Sequence, residues 1–279
     1  MKRLTLVLLL LAGCSSTPKS KPQDPTLSRL DHAGDIAFDL EQPDQAVTQF
    51  RAALARAHTA DNASAIADAG FNLATAELRA GRPHDALRTA QELTAGLARR
   101  GIVDPDFELI SATALFRLDN LPASARAANR LTAAKSPALT NAAWFLLGLI
   151  ADQRHDRTGL EKAIASMTPA ADPGDLAELQ ARLAHSAPLA LHAADLRRTQ
   201  LDYRGMARAL ALAAQYSANA RNATDLYLRA GRSAAGQGDA ANAKAWLGSA
   251  RGLAPDTALR TDAEHALHDL SSRPAHGSN

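Results

Sequence analysis

The sequence predicts an all-α fold arranged as a solenoid of short helical repeats. Alanine is abundant, aromatic residues make up only 4% of the 279 residues, and β-branched residues are sparse, which favours helix over strand. From about Leu27 onward, helical periodicity is interrupted roughly every 35 to 47 residues by short turns. A period of this kind is typical of stacked helical hairpins, and no sheet is expected.

The N-terminus has the pattern of a cleaved export signal. Met1 to Arg3 are followed by the apolar run Leu4 to Leu11, which is too short to span a bilayer. The sequence Leu11-Ala12-Gly13-Cys14 resembles the lipobox of bacterial lipoproteins. That resemblance implies removal of residues 1–13 and acylation of Cys14, which would anchor the protein stably in a membrane. The alternative is an ordinary secretory signal with an incidental cysteine.

The charge balance excludes a nucleic-acid partner. Removal of residues 1–13, which hold Lys2 and Arg3 and no acid, leaves 29 basic against 29 acidic residues. A neutral chain without basic clusters lacks the electrostatic footprint of nucleic-acid binding. Ser15 and Ser16, not aspartate, follow Cys14; by resemblance to Gram-negative lipoproteins this implies the outer membrane, facing the periplasm. Residues 14–26, rich in Pro, Ser and Lys, are predicted to form an extended tether.

The best-formed repeat lies near the C-terminus. One helix carries Tyr227 and Gly231, a turn follows at Gly238, and the next helix carries Ala243 and Leu247. Small residues are needed where two helices cross closely. The same spacing recurs in earlier segments, at Gly34 and Phe50, at Leu73, Gly81 and Ala90, at Asn120 and Ala125, at Trp144, Leu147 and Gly148, and more weakly at Ala194, Ala207 and Ala211.

This pattern resembles the tetratricopeptide repeat (TPR). The resemblance implies a right-handed superhelical solenoid of about five to six TPR-like helix-turn-helix repeats over residues 27–270. The breaker cluster from Thr168 to Gly174 predicts an inserted helix over 174–186, capped by Asp175, with a hinge between two halves as the alternative. The helix from Asp256 to Leu270 has the polar face of a C-terminal capping helix. Residues 271–279 are predicted to be a disordered tail.

No catalytic, cofactor or metal motif is evident. The chain lacks a Gly-rich phosphate loop, a Gly-x-Ser-x-Gly elbow and a zinc helix with two histidines and an acid. His265 and His268 lie on neighbouring positions of a helix, but no third ligand accompanies them, and zinc sites use three or four. We therefore expect neither an enzyme nor a bound cofactor. A solute-binding protein is kept as a minor alternative.

The TPR resemblance also implies a partner-binding groove lined by the first helix of each repeat. Five apolar members would form a stripe suited to an amphipathic helix or an extended peptide, unless they are core. The groove residues are Asp31, Asp35, Phe38, Phe71, Leu78, Ile110, Arg117, Phe145, Leu149, Asp152, His192, Leu196 and Arg232.

The predicted function is that of a membrane-anchored periplasmic adaptor or scaffold that binds protein partners. The resemblance places it within an envelope assembly, secretion or pilus, or cell-wall machinery. The alternative is a self-assembling structural subunit of an envelope complex, in which the protein would form homo-oligomers.

Overall fold

The computed structural model describes residues 24–168 and 172–272, and this part of the chain is helical with no strand. The prediction of an all-α helical-repeat solenoid is confirmed. Cys14, the signal peptide and residues 273–279 lie outside the described residues. The helices are α1 (Pro25–Asp39), α2 (Pro43–Thr59), α3 (Ala63–Arg79), α4 (Pro83–Ala98), α5 (Asp106–Arg117), α6 (Leu121–Leu131), α7 (Pro137–Gln153), α8 (Arg157–Ser166), α9 (Pro173–Ala184), α10 (Ala187–Thr199), α11 (Tyr203–Gln215), α12 (Ala220–Gly236), α13 (Ala240–Leu253) and α14 (Thr257–Ser272).

Six hairpins of the same construction make up the described chain, which agrees with the predicted number of repeats. The pairs are α1–α2, α3–α4, α5–α6, α7–α8, α10–α11 and α12–α13, each joined by three residues. In every pair the middle turn residue has a positive φ, and the next amide donates to the carbonyl five residues earlier, which is the Schellman ending of a helix. The middle residues are Glu41, Gly81, Asp119, His155, Leu201 and Gly238.

Glycines in the first helices let the two helices of a hairpin approach closely. A Cβ added to Gly70 would lie 2.2 Å from Leu93 Cδ1, and one added to Gly231 would lie 2.6 Å from Leu247 Cγ. Gly34 meets the ring of Phe50 in the same way. These contacts have the ridge-into-groove form expected from the repeat pattern.

The helix after the fourth hairpin departs from the repeat. α9 packs against α7, α8 and α10, and a Cβ added to Gly148 of α7 would lie 2.4 Å from Leu179 Cδ1 of α9. In repeat 4 the glycine of the first helix therefore faces α9 instead of the second helix. The prediction that Asp175 caps this helix is wrong: Asp172 is the cap, because its Oδ1 accepts from the Asp175 amide at 2.9 Å.

Two predicted boundaries need correction. The tether was expected to reach residue 26, but α1 begins at Pro25, because Asp24 caps it by accepting from the amides of Thr26 and Leu27. The tail was expected to begin at residue 271, but α14 continues to Ser272. None of the described helices combines the length and the apolar character that crossing a membrane requires.

The first helices form the inner layer of the stack. α3 packs against α5, α5 against α7, and α7 against α9, while second helices of neighbouring described repeats do not pack on one another to the same extent. In a curved stack the inner layer is the more closely spaced one. Residues on α3, α5 and α7 therefore line the inner face, and the Asp31 carboxyl of α1 lies close enough to Asp68 of α3 to be repelled by it.

Candidate partner-binding face

The structure places the predicted groove residues on the first helix of each repeat. Asp31, Asp35 and Phe38 lie on α1, Phe71 and Leu78 on α3, and Ile110 and Arg117 on α5. Phe145, Leu149 and Asp152 lie on α7, His192 and Leu196 on α10, and Arg232 on α12. They share one layer, but their exposure and partners differ widely.

The apolar stripe is not continuous. Ile110 is only 5% exposed and, with Leu78, belongs to the core between repeats 2 and 3, so the alternative that groove residues are core applies to these two. Phe145 and Leu149 are half-buried against Leu179 and Leu160. Leu196 is half-buried against the alanine-rich core of α10 and α11. These side chains are wholly or partly buried in contacts between helices, as most large apolar residues are.

Phe71 is the apolar groove residue that remains accessible, with 38% of its surface exposed. Asp68 lies one turn earlier on the same helix, so the two side chains are neighbours on one face of α3. Asp35 on α1 is also exposed. This part of the inner face combines an aromatic ring with carboxylates.

Asp31 lies within the same acidic group. Its Oδ1 is inaccessible to solvent and has no hydrogen-bond partner. Partial burial, followed by repulsion from Asp35 and Asp68, raises the pKa of the Asp31 carboxyl above its ordinary value. Phe38 is half-buried beside this group, with the Arg79 guanidinium 4.6 Å above its ring. The N-terminal end of the inner face is therefore acidic and incompletely paired.

A buried ion-pair network occupies the junction around α9. Glu178, 1% exposed, accepts from Arg182 at 3.0 Å and from Arg197 at 3.1 Å. Arg197 also binds Asp175, and binds Asp202 at 2.7 Å. Burial, with repulsion from Asp172 and Glu178, raises the pKa of the Asp175 carboxyl to about 7 against the opposing attraction of Arg197.

Two predicted groove residues take part in this network from α7. Asp152 accepts from Arg182 at 2.7 Å, and the ring of Phe145 lies 5.7 Å from the Arg197 guanidinium carbon. Asp152 is therefore already paired within the chain. Sequence reasoning missed the network, because Asp175 was considered only as a cap. The available signal was the pair Glu178 and Arg182, four residues apart on one helix face.

The remaining predicted residues are spread over repeats 3, 5 and 6. Arg117 donates to the carbonyl of Leu78, and burial, followed by repulsion from Arg208 and Arg204, lowers the pKa of its guanidinium. His192 is exposed on α10. Arg232 lies 3.4 Å from Asp262 of α14.

The described residues contain no group of three His, Cys, Asp or Glu side chains that could hold a metal ion. The acidic group around Asp31 and the exposed ring of Phe71 can contribute contact area and electrostatic attraction. Such a face is suited to binding another molecule through its surface.

No family model matches the chain, and no curated protein matches it in sequence. Similar solved structures include a tetratricopeptide repeat protein from Parabacteroides merdae, with 14% identity and a TM-score of 0.49 over 89% of this chain and 100% of that one. Pseudomonas aeruginosa pilF has 18% identity and a TM-score of 0.42, over 86% and 97% of the two chains. The TPR2AB domain of yeast Sti1 in its pHSP90 complex has 14% identity and a TM-score of 0.34, over 88% and 98%. The six repeated hairpins of this chain are themselves the evidence for its TPR-like fold.

Proposed function

We propose that the protein is a scaffold that binds protein partners through the inner face of its repeats, anchored by Cys14 to the outer membrane and facing the periplasm. The lipobox-like sequence supports the anchor. A solenoid of six hairpins supports the scaffold, because stacked repeats present an extended surface instead of a closed pocket. The setting proposed is an envelope assembly, secretion or pilus, or cell-wall machinery.

The main support for a binding role is that the inner face is accessible to solvent at α1 and α3. There Phe71 is exposed next to Asp68, with Asp35 and the incompletely paired Asp31 on the facing helix. A partner segment that sets an apolar side chain on Phe71 and a basic side chain among the aspartates would complement this surface. Aromatic residues of this kind often carry much of an interface's binding energy.

The experiment is in-cell crosslinking of the full-length protein followed by mass spectrometry, with Cys14→Ala as the anchoring control. Recovery of an envelope complex by the wild type, and its loss with Cys14→Ala, is the expected result for a lipid-anchored scaffold. The same complex recovered equally well without the lipid would contradict the anchoring role. Self-crosslinks alone would favour the self-assembling subunit.

Binding through the inner face is tested by Phe71→Asp, with Val103→Asp as the matched control. Val103 is 88% exposed in the loop before α5, so the control makes the same change away from the inner face. We expect Phe71→Asp to lose the partner while Val103→Asp keeps it, with unchanged helical circular dichroism in both. Retention of the partner by Phe71→Asp would contradict the assigned face.

A further inference from the structure

The first and the sixth hairpin turns meet although they are far apart in sequence. Arg204, at the start of α11, donates to Glu41 Oε2 in the first turn at 3.0 Å, across 163 residues. The same nitrogen donates to the carbonyl of Gln237, in the sixth turn, at 2.6 Å. Arg204 therefore links repeats 1, 5 and 6 at one rim of the solenoid.

The backbones also approach each other at this point. A Cβ added to Gly238 would lie 3.1 Å from the Glu41 carbonyl oxygen and 4.0 Å from Pro43 Cδ. Gly238 has a φ of +67°, a conformation that glycine adopts without steric cost. The two turns are thus in contact as well as joined by an ion pair.

The Glu41 carboxylate pairs with the guanidinium groups of two arginines. Besides Arg204 it binds Arg79, whose Nε donates to Oε2 at 3.3 Å, and its side chain is only 24% exposed. Arg117 lies close enough to Arg204 and Arg208 to be repelled by both, while Asp239 attracts it. Glu41 is therefore the carboxylate that ties Arg204, and with it repeats 5 and 6, to the first turn.

We propose that Glu41 and Arg204 form an electrostatic latch that closes the solenoid into a ring, and that its release separates repeat 1 from repeats 5 and 6 and opens the inner face. Neighbouring repeats share apolar core clusters as well as ion pairs such as Arg79 with Glu41, and salt leaves the apolar packing intact. The described contact between repeat 1 and repeats 5 and 6 is instead mainly polar. High ionic strength or the substitution of a charged residue should therefore weaken this contact more than the contacts between neighbouring repeats.

The test is an electron–electron distance measurement on the full chain, with Cys14→Ser and spin labels at Gln45→Cys and Ala241→Cys, both exposed positions on either side of the contact. The wild type at low salt is expected to give a dominant short-distance population and a small long-distance fraction. Glu41→Gln and Arg204→Gln should each raise the long-distance fraction about fivefold, the upper range for a partly buried pair. In 1 M NaCl, where charges are screened within about 3 Å, the wild type should open similarly.

Glu108→Gln is the matched control, because Glu108 pairs with Arg130 inside repeat 3 and should leave the distance unchanged. Circular dichroism shows whether each variant is folded. Opening by Glu41→Gln without opening by Arg204→Gln would attribute the effect to the Arg79 pair and overturn the latch. A broad distance distribution in the wild type at low salt, or no change in either variant, would overturn it as well.

Discussion

Replacing Arg197 with methionine should destabilise the protein, because carboxylates that pair with Arg197 lose their partner. The Arg197 side chain is 4% exposed and binds three carboxylates. After its removal Glu178 keeps Arg182 at 3.0 Å, and Asp202, 38% exposed, keeps contact with water. Asp175 loses its only ion-pair partner while remaining largely buried.

Breaking a buried ion pair from one side costs about 3–5 kcal/mol. Because Glu178 and Asp202 retain other partners, we expect the loss of stability to be at the lower end of this range, about 3 kcal/mol. The total stability of a domain is about 5–15 kcal/mol, so this loss is substantial. Urea unfolding at pH 8, above the wild-type pKa of Asp175 of about 7, should show a lower midpoint with an unchanged slope.

The double variant Asp175→Asn with Arg197→Met separates the orphaned charge from lost packing. It removes the unpaired carboxylate, so it should recover more than half of the loss. The reasoning is refuted if Arg197→Met lies within about 0.5 kcal/mol of the wild type, the range of ordinary surface substitutions. It is also refuted if the double variant is no more stable than the single one.

Three further predictions concern the pH dependence and the repeat geometry. The folded-state pKa of Asp175, about 7, lies above its ordinary 3.8, so its contribution to stability is lost as pH rises between these values; Asp175→Asn should flatten that part of a pH series of unfolding midpoints. Gly231→Ala should lower the free energy of unfolding by about 1–3 kcal/mol, because the added methyl group overpacks against Leu247. Gly248→Ala, whose methyl group meets nothing within 4 Å, should raise it by about 0.5–1 kcal/mol. Similar shifts in both variants would contradict the packing argument. Leu201 is 70% exposed with a φ of +60°, so Leu201→Gly should raise the unfolding midpoint by relieving about 1 kcal/mol of strain, and a lower midpoint would contradict this.

The sequence predicts the hairpins well because their signals are local. Gly34 and Gly231 stand where two helices cross, and short-range spacing is enough to identify such positions, although Gly70, which has the same role in repeat 2, was missed. The turns are less evident, because His155 and Leu201 adopt the positive φ that glycine has at Gly81 and Gly238. There the helix ending is imposed by the Schellman bonds and not by the residue type.

The exposure of the inner face was predicted less well, because it depends on contacts between helices that the sequence does not place in register. Ile110 and Phe71 have the same character and both lie on first helices, yet one is core and the other accessible. Ile110 packs into a core cluster that includes residues of α3 and α4, whereas 38% of the Phe71 surface stays exposed. The contact between Glu41 and Arg204 is harder still to predict, because it depends on the curvature accumulated over five repeats.

The curvature of the stack depends on the angle between repeats 4 and 5, which are joined through the irregular helix α9. Contacts between alanine and leucine side chains are non-directional and tolerate small rotations of one helix on another. The hydrogen bonds among Glu178, Arg182 and Arg197 fix both distance and angle, because a guanidinium presents its donors in a rigid plane. Buried charge is a costly way to gain stability. The buried Glu77 of repeat 2 pairs with Arg51, whose side chain is half-exposed, whereas Glu178 and Arg197 are both buried. A pair buried on both sides next to the irregular step fits a role in setting the angle at which the C-terminal repeats return to Glu41.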